Sequence, residues 1–147
     1  MAIDVLSETR VSRPLWQVWD YIIDPANDLT WIRALSDSRR LTPDPIGPGT
    51  RVERTASMLG RKVHYTTEVV GYEPGARFEM STITGPAMHV TYLFEERGVD
   101  TMVRIRNQGG NGLMFKLFSG MIGRMVKGRV DGDLEQLKQV LEATPAA

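Results

Sequence analysis

The sequence predicts one α+β domain in which a curved antiparallel sheet is closed by a long C-terminal helix. Two patterns carry this prediction. Apolar residues alternate with polar ones near the N-terminus and again through the middle of the chain, where turn residues recur roughly every ten to fifteen positions. The last thirty or so residues instead repeat their apolar positions every three or four residues. Hairpins fit the short turn spacing, because a parallel crossover needs about a dozen residues or more.

The composition is that of an ordinary globular protein and excludes several classes of function. Hydrophobic residues make up 41% of the 147 residues, and 18 Lys and Arg balance 18 Asp and Glu. With no net charge, we expect neither nucleic-acid binding nor stable membrane insertion. The absence of cysteine excludes disulfides and thiolate chemistry. No secretory signal or apolar stretch of spanning length is evident, so we expect a cytoplasmic protein.

The first forty residues should form one strand and two short helices. Residues 3–11 alternate as a strand. A helix should follow with Pro14 in its first turn, capped by Ser12 or Arg13, and Asp24 before Pro25 should end it. A second helix should begin at residue 27 or 28. Its expected buried side is Leu29, Trp31, Ile32 and Leu35.

Six further strands should form a meander, and a single helix should follow them. The expected strands are 36–43, 50–59, 62–73, 76–84, 87–97 and 100–108. The helix should extend from about residue 113 to 143, leaving 144–147 as a frayed tail of a single domain, 1–147. Its apolar stripe is Phe115, Phe118, Ile122, Val126, Val130, Leu134, Leu137 and Leu141.

The first half of this helix carries a second apolar band that either borders a cavity or packs in the core. The band is Met114, Leu117, Met121 and Met125, and thioether side chains adapt well to a variable ligand. The helix is also interrupted by glycines, which disfavour helix. Close packing on the sheet, a kink or a mobile entrance would each explain Gly120, Gly123, Gly128 and Gly132.

Several segments resemble the helix-grip superfamily, which includes START lipid-transfer domains, birch-pollen-allergen-type proteins and polyketide cyclase/dehydrase-like proteins. They are Ser-Arg-Pro-Leu-Trp-Gln-Val-Trp-Asp at 12–20, Gly-Pro-Gly-Thr-Arg at 47–51, Thr-Glu-Val-Val-Gly-Tyr-Glu-Pro at 67–74 and Asp-Leu-Glu-Gln-Leu-Lys at 133–138. The resemblance covers nearly the whole chain. It implies a sheet of six or seven strands wrapped around the long helix, with a ligand cavity between them.

The alternation along the strands sorts the side chains into an inner and an outer face. Both histidines and Glu68, Glu79 and Glu95 fall on the outer face, whereas the inner face is apolar with neutral polar groups. Such groups orient a ligand by hydrogen bonds. The expected ligand-binding residues are Val52, Met58, Tyr65, Thr67, Phe78, Met80, Thr82, Met88, Val90, Tyr92, Val103, Ile105, Asn107, Phe118, Met121 and Met125.

Catalytic candidates are few. Tyr65, Tyr92 and Arg54 could polarise a carbonyl or an enolate, although the tyrosines could equally be core residues. Arg54 more simply pairs with an acid such as Asp20 or Asp24 or extends to the cavity mouth. The pattern predicts neither a metal site nor a cofactor. The loop 107–112 is a strand-to-helix connection and a possible gate.

Three functions follow, in order of preference. The first is binding of a small hydrophobic or amphipathic ligand such as a lipid or polyketide, by a monomer or homodimer. The second is an enzyme of cyclase, dehydratase or isomerase type. The third is a non-catalytic interaction module that uses Trp16 and the outer face of the sheet.

Overall fold

The computed structural model describes residues 3–58, 60–110 and 113–146, without the side chains of Met114 and Phe115. Seven antiparallel strands form one sheet in the order β1-β7-β6-β5-β4-β3-β2. Strands β2 to β7 are therefore the predicted meander, and β1 pairs with β7 at one edge of the sheet. The strands are β1 (Ile3–Val11), β2 (Leu35–Arg40), β3 (Arg51–Met58), β4 (Arg61–Glu73), β5 (Arg77–Thr84), β6 (Met88–Arg97) and β7 (Asp100–Gly109).

Two short helices connect β1 to β2. Helix α1 is Leu15–Ile23, and Pro14 is its N-cap rather than part of its first turn, so the predicted cap at Ser12 or Arg13 is wrong by one or two residues. The extended ψ of 150° at Pro14 explains this, because it keeps the backbone outside the helical region. A 3₁₀ turn, Pro25–Asn27, leads into α2, Asp28–Trp31. Trp31 is buried as predicted, but Leu29 is 51% exposed.

The core lies between the concave face of the sheet and the two helices α1 and α3, where α3 is Leu113–Ala143. Trp19 of α1 packs edge-on against Tyr72, Phe78 and Phe94, with ring centroids 5.0 to 6.0 Å apart. From α3, Leu134, Leu137 and Leu141 are almost fully buried. Burying aliphatic side chains of this size contributes about 1.5–3 kcal/mol each.

The first half of α3 does not extend the core as predicted. Phe118 and Met121 are 45% and 61% exposed, and the backbone at Phe118 leaves helical geometry, with φ −113° and ψ 15°. This kink lies at Phe118 and not at a glycine. A Cβ on Gly120, Gly128 or Gly132 would meet open space, so these glycines do not allow close packing on the sheet.

The two faces of the sheet divide as predicted. His64 and His89 lie on the outer face beside Thr55 and Ser81, at 3.0 and 2.7 Å. The outer face also carries ion pairs such as Arg106 with Asp4 at 2.6 Å. Among the described helices, none is long and apolar enough to cross a bilayer.

The predicted tail is held to the body of the protein at its first residue. The carbonyl of Thr144 accepts a hydrogen bond from the Arg13 side chain at 2.8 Å. Ala147, at the end of the tail, and residues 111–112 of the possible gate loop lie outside the described residues.

Candidate ligand-binding cavity

A cavity of about 130 Å³ lies between the concave face of the sheet, α2 and the middle of α3. Period-two alternation brings the inner side chains of β3 to β7 to its wall, and α2 and α3 close the opposite side. The wall is mostly apolar, with a few polar groups between the apolar side chains. The lining residues are Trp31, Ile32, Arg54, Tyr65, Thr67, Met80, Thr82, Met88, Val90, Tyr92, Ile105, Asn107, Val130 and Asp133.

Arg54 lies on the inner face of β3 and forms a buried ion pair. Its Nε donates to Oδ2 of Asp28 at 2.8 Å, and the side chains of the two residues are 8% and 3% exposed. The sequence predicted an acidic partner, but Asp20 and Asp24 are the wrong ones. Asp28 begins α2, and Ser38, which pairs with Arg54 in the β2–β3 register, donates to the same carboxylate oxygen at 2.7 Å.

The remaining contacts of Arg54 hold its side chain against the cavity wall. A terminal nitrogen donates to Oγ1 of Thr67 at 2.8 Å and approaches Sδ of Met80 at 3.8 Å. Burial alone would lower the pKa of Arg54, but the Asp28 carboxylate and the nearby tyrosines outweigh it and raise the pKa above its usual value. Arg54 is therefore a fixed cation whose charge is already balanced.

Tyr65 and Tyr92 face the cavity from β4 and β6. Burial raises the pKa of both hydroxyls, more strongly for Tyr92. The Asp28 charge adds to this increase in both tyrosines, and the Arg54 cation only partly opposes it. Both therefore stay protonated at neutral pH and can donate a hydrogen bond. Neither can act as a base there without a large cost in free energy.

Asp133 of α3 adds a carboxyl group to the wall opposite the sheet. It is 5% exposed, and its Oδ1 accepts a hydrogen bond from the backbone N–H of Arg33 at 3.2 Å. Burial raises the pKa of this carboxyl, against the smaller opposing effects of that hydrogen bond and of the Arg129 and Arg33 charges. The pocket therefore holds one acid whose proton is retained more strongly than usual.

Two buried N–H groups, on residues that line the cavity, have no hydrogen-bond partner among the described residues. They are Nε1 of Trp31 and Nδ2 of Asn107, on side chains of residues that are 2% and 7% exposed. Buried polar groups in folded proteins are almost always paired, and an unpaired one costs about 1–3 kcal/mol. Both residues line the same cavity, so a single acceptor-bearing occupant could satisfy them together.

A second cavity of about 210 Å³ adjoins the first and has almost no polar lining. Met88 and Asn107 line both cavities and so form the partition between them. The other lining residues come from the ends of the strands and from the first half of α3. They are Ile3, Met58, Pro86, Ala87, Gln108, Gly109, Gly110, Ile122 and Val126.

An apolar chamber of this kind between sheet and helix agrees with the comparison to known families. The sequence model of the family described as polyketide cyclase / dehydrase and lipid transport matches residues 2–142. The chain belongs to this family. That membership and the fold support a role in binding hydrophobic ligands. No curated protein is a significant match to the sequence.

Solved structures confirm the helix-grip fold over nearly the whole chain. TTHA0849 from Thermus thermophilus is 17% identical, with a TM-score of 0.81 over 95% of this chain and 97% of its own. Ms6760 from Mycobacterium smegmatis is 16% identical, with a TM-score of 0.73 over 98% and 94%. Ara h 8.0201 is 13% identical, with a TM-score of 0.70 over 96% and 98%. At such identities the likeness concerns the fold alone.

The structure separates the sequence-predicted ligand residues into three groups. Phe118 and Met121 are exposed, so their predicted inward orientation is wrong. Val52, Phe78 and Val103 face inward but are buried in packing and line neither cavity, and Met125 lines neither. The cavity walls contain Met58, Tyr65, Thr67, Met80, Thr82, Met88, Val90, Tyr92, Ile105 and Asn107.

Four wall residues of the first cavity are neither among the predicted ligand-binding residues nor among the catalytic candidates: Trp31, Ile32, Val130 and Asp133. The first three had been placed on the buried sides of α2 and α3, but not at a cavity. The sequence does indicate a buried position for Asp133, because it lies three residues after Val130 and four before Leu137, beside the buried stripe. The described residues contain no cluster of His, Asp or Glu arranged to hold a metal ion.

Proposed function

We propose that this protein binds a small, largely apolar ligand that carries a hydrogen-bond acceptor, in the cavity between the sheet and α3. The observation that carries the proposal is the pair of unpartnered N–H donors, Trp31 Nε1 and Asn107 Nδ2, on two residues that line a mostly apolar cavity. A carbonyl, ether or hydroxyl oxygen would remove the cost of burying them unpaired. The apolar wall would supply the rest of the affinity.

The charges in the pocket argue against an anionic ligand. Arg54 is already neutralised by Asp28 at 2.8 Å, so it offers little to a carboxylate. Asp133 would repel an anion when ionised. The unpartnered donors of Trp31 and Asn107 are neutral, and they can bind a neutral acceptor without any ionised group on the ligand.

The size of the cavity fits a single-ring compound or a short chain. An engineered cavity of about 150 Å³ binds benzene, so a chamber of about 130 Å³ is of the right order for such a molecule. A longer ligand would need the second, more apolar chamber as well, past Met88 and Asn107. The polar end would then lie near Trp31 and the apolar end towards Ile122.

Two probes of nearly equal shape test the proposal: acetophenone, which carries a carbonyl acceptor, and isopropylbenzene, which does not. Calorimetric titration should show tighter binding of acetophenone, by about fivefold for one net hydrogen bond of roughly 1 kcal/mol. Trp31→Phe and Asn107→Leu should each reduce this preference and leave the affinity for isopropylbenzene nearly unchanged.

Ser7→Ala is a matched control. Ser7 is 2% exposed and its Oγ also lacks a partner among the described residues, but it lines neither cavity. The control should leave both affinities unchanged. If neither probe binds, or if the carbonyl gives no preference, the donors are satisfied by water and the proposal is wrong.

A second candidate is an enzyme of cyclase or dehydratase type, favoured by the acidic groups around the chamber. Tyr92 and Tyr65 keep their protons and can donate to a developing oxyanion, while Asp133 faces them across the cavity as an acid or, when ionised, a base. Tyr92→Phe and Asp133→Asn should then abolish turnover of a polyketone substrate while substrate binding persists. Equal loss of binding and turnover would contradict catalysis.

A further inference from the structure

Three segments of the chain that meet at one end of the molecule contain no acidic residue. These are the β3–β4 connection with its flanks (57–58 and 60–63), the β5–β6 connection with its flanks (82–88), and the end of β7 with the first half of α3 (107–110 and 113–130). We call these residues the basic end. They contain six cations and leave the rest of the chain with six more acidic than basic residues. The cations are Arg61, Lys62, Lys116, Arg124, Lys127 and Arg129.

The three segments meet in space as well as sharing a composition. Met58, Pro86 with Ala87, Gly109 with Gly110, and Ile122 with Val126 all line the second cavity. That cavity therefore opens within the basic end.

Most of these cations have no anionic partner. Within the described part of the chain, no ion pair involves Arg61, Lys62, Lys116 or Arg124, and Lys127 pairs with Asp131 at 3.2 Å. Asp4, at the adjoining end of β1, is bound by Arg106 at 2.6 Å. The local field is therefore positive although the net charge of the chain is zero.

The same surface exposes large aliphatic side chains. Leu113 and Leu117 before the kink at Phe118, and Met121 after it, are 71%, 67% and 61% exposed. Phe118 and Ile83 of the β5–β6 hairpin add to them at 45% and 44%. Single exposed apolar residues are ordinary, but a group of them beside unpaired cations is typical of helices that lie in the membrane interface.

We infer that the basic end docks on an anionic phospholipid surface, with the first half of α3 lying in the interface. The exposed apolar side chains would enter the headgroup region. Lys116 and Arg124, together with Arg61 and Lys62 of the β3–β4 hairpin, would contact lipid phosphates. Nucleic acid would satisfy the cations but not the exposed apolar side chains. The charge separation along the molecule would orient it towards an anionic surface before contact.

Co-sedimentation with vesicles tests the inference on the full chain. Binding should be evident with phosphatidylcholine vesicles that contain about 30% phosphatidylserine, weak with phosphatidylcholine alone, and reduced by added salt. Lys116→Glu with Arg124→Glu should weaken binding by at least about tenfold, on the order expected for two lost cations near such a surface. Leu117→Asp with Met121→Asp should have a similar effect and, because both side chains are exposed, should leave the fold intact.

Two variants at the opposite end of the sheet serve as controls. They change an exposed apolar or charged side chain away from the basic end. Val99→Asp changes an 85% exposed side chain in the β6–β7 turn, and Arg39→Glu reverses an exposed charge on β2. Both should bind vesicles as the native chain does. All variants should keep the acetophenone affinity of the native chain, so loss of docking and loss of ligand binding are measured separately.

Three outcomes would overturn the inference. Equal binding to zwitterionic and anionic vesicles, or none to either, would exclude an anionic surface. A dimer by light scattering that Leu117→Asp with Met121→Asp dissociates would assign the exposed apolar side chains to a second copy of the chain. Salt-sensitive binding to a DNA duplex that competes with vesicle binding would assign the cations to nucleic acid.

Discussion

Arg54 Nε lies 2.8 Å from Oδ2 of Asp28, and both side chains are shielded from solvent beside the cavity. This ion pair joins the start of α2 to the middle of β3, and Ser38 completes the contact from β2. A buried pair of this kind adds little over an apolar replacement, but removing one partner leaves an uncompensated charge. The pair therefore fixes where α2 closes the cavity.

Asp28→Asn should be strongly destabilising because it leaves the Arg54 guanidinium buried without a counter-charge. We expect a loss of about 3–5 kcal/mol in the free energy of unfolding, measured by urea titration. Asp20→Asn, at an exposed position of α1, should change it by less than about 0.5 kcal/mol. The double variant Asp28→Leu with Arg54→Met should be more stable than Asp28→Asn. A loss below about 1 kcal/mol for Asp28→Asn would contradict this interpretation.

Asp133→Asn should stabilise the protein at neutral pH. Burial raises the pKa of Asp133, so the folded state binds its proton more tightly than the unfolded state does. Stability therefore falls as pH rises from the unfolded pKa, about 3.9, through the folded pKa. The asparagine can still accept the hydrogen bond from the Arg33 backbone N–H. Urea titrations across this range should show native and variant converging at acid pH and diverging above it. A variant that is less stable at neutral pH would contradict the expectation.

Glu95, on the outer face of the sheet, has a lowered pKa, whereas the pKa of Asp133 is raised. Hydrogen bonds from Arg97 and Arg104 lower the pKa of Glu95 to about 2. Its stabilising contribution is thus present above the unfolded value and is lost as pH falls towards 2. Arg104→Gln should raise the pKa of Glu95 but not restore its usual value, because Arg97 remains at 2.9 Å. NMR titration of the carboxyl group measures the pKa of Glu95 in the native protein and in the variant. An unchanged pKa would show that Arg104 is not a determinant.

The strands and their inner faces could be read from the sequence because a period of two is a local property. Tyr65 with Thr67, and Tyr92 with Val90, lie inward as the alternation required. The same alternation predicted both histidines on the outer face of the sheet. Tertiary pairing was less accessible: Asp28 reaches Arg54 only because β2 pairs with β3, and no local pattern encodes that distance.

The first half of α3 shows the limit of periodicity. Spacing tells which side chains share a face, but not whether another element covers that face. Phe118 and Met121 had the spacing of buried residues but are exposed, and the backbone leaves helical geometry at Phe118. Likewise, the balanced total charge concealed a basic end that appears only when the chain connections are brought together in space.

Met88 should control the length of ligand that the protein accepts, given the proposed binding function. Its side chain is the one apolar group on the walls of both cavities within the described residues. Met88→Ala should join the two chambers and shift the preference from 1-hexanol towards 1-dodecanol in calorimetric titrations. Met80→Ala is the matched control, because Met80 lines only the first chamber and should leave the chain-length preference unchanged. If both variants behave alike, Met88 does not act as the partition, and a long ligand would have to extend through another part of the wall.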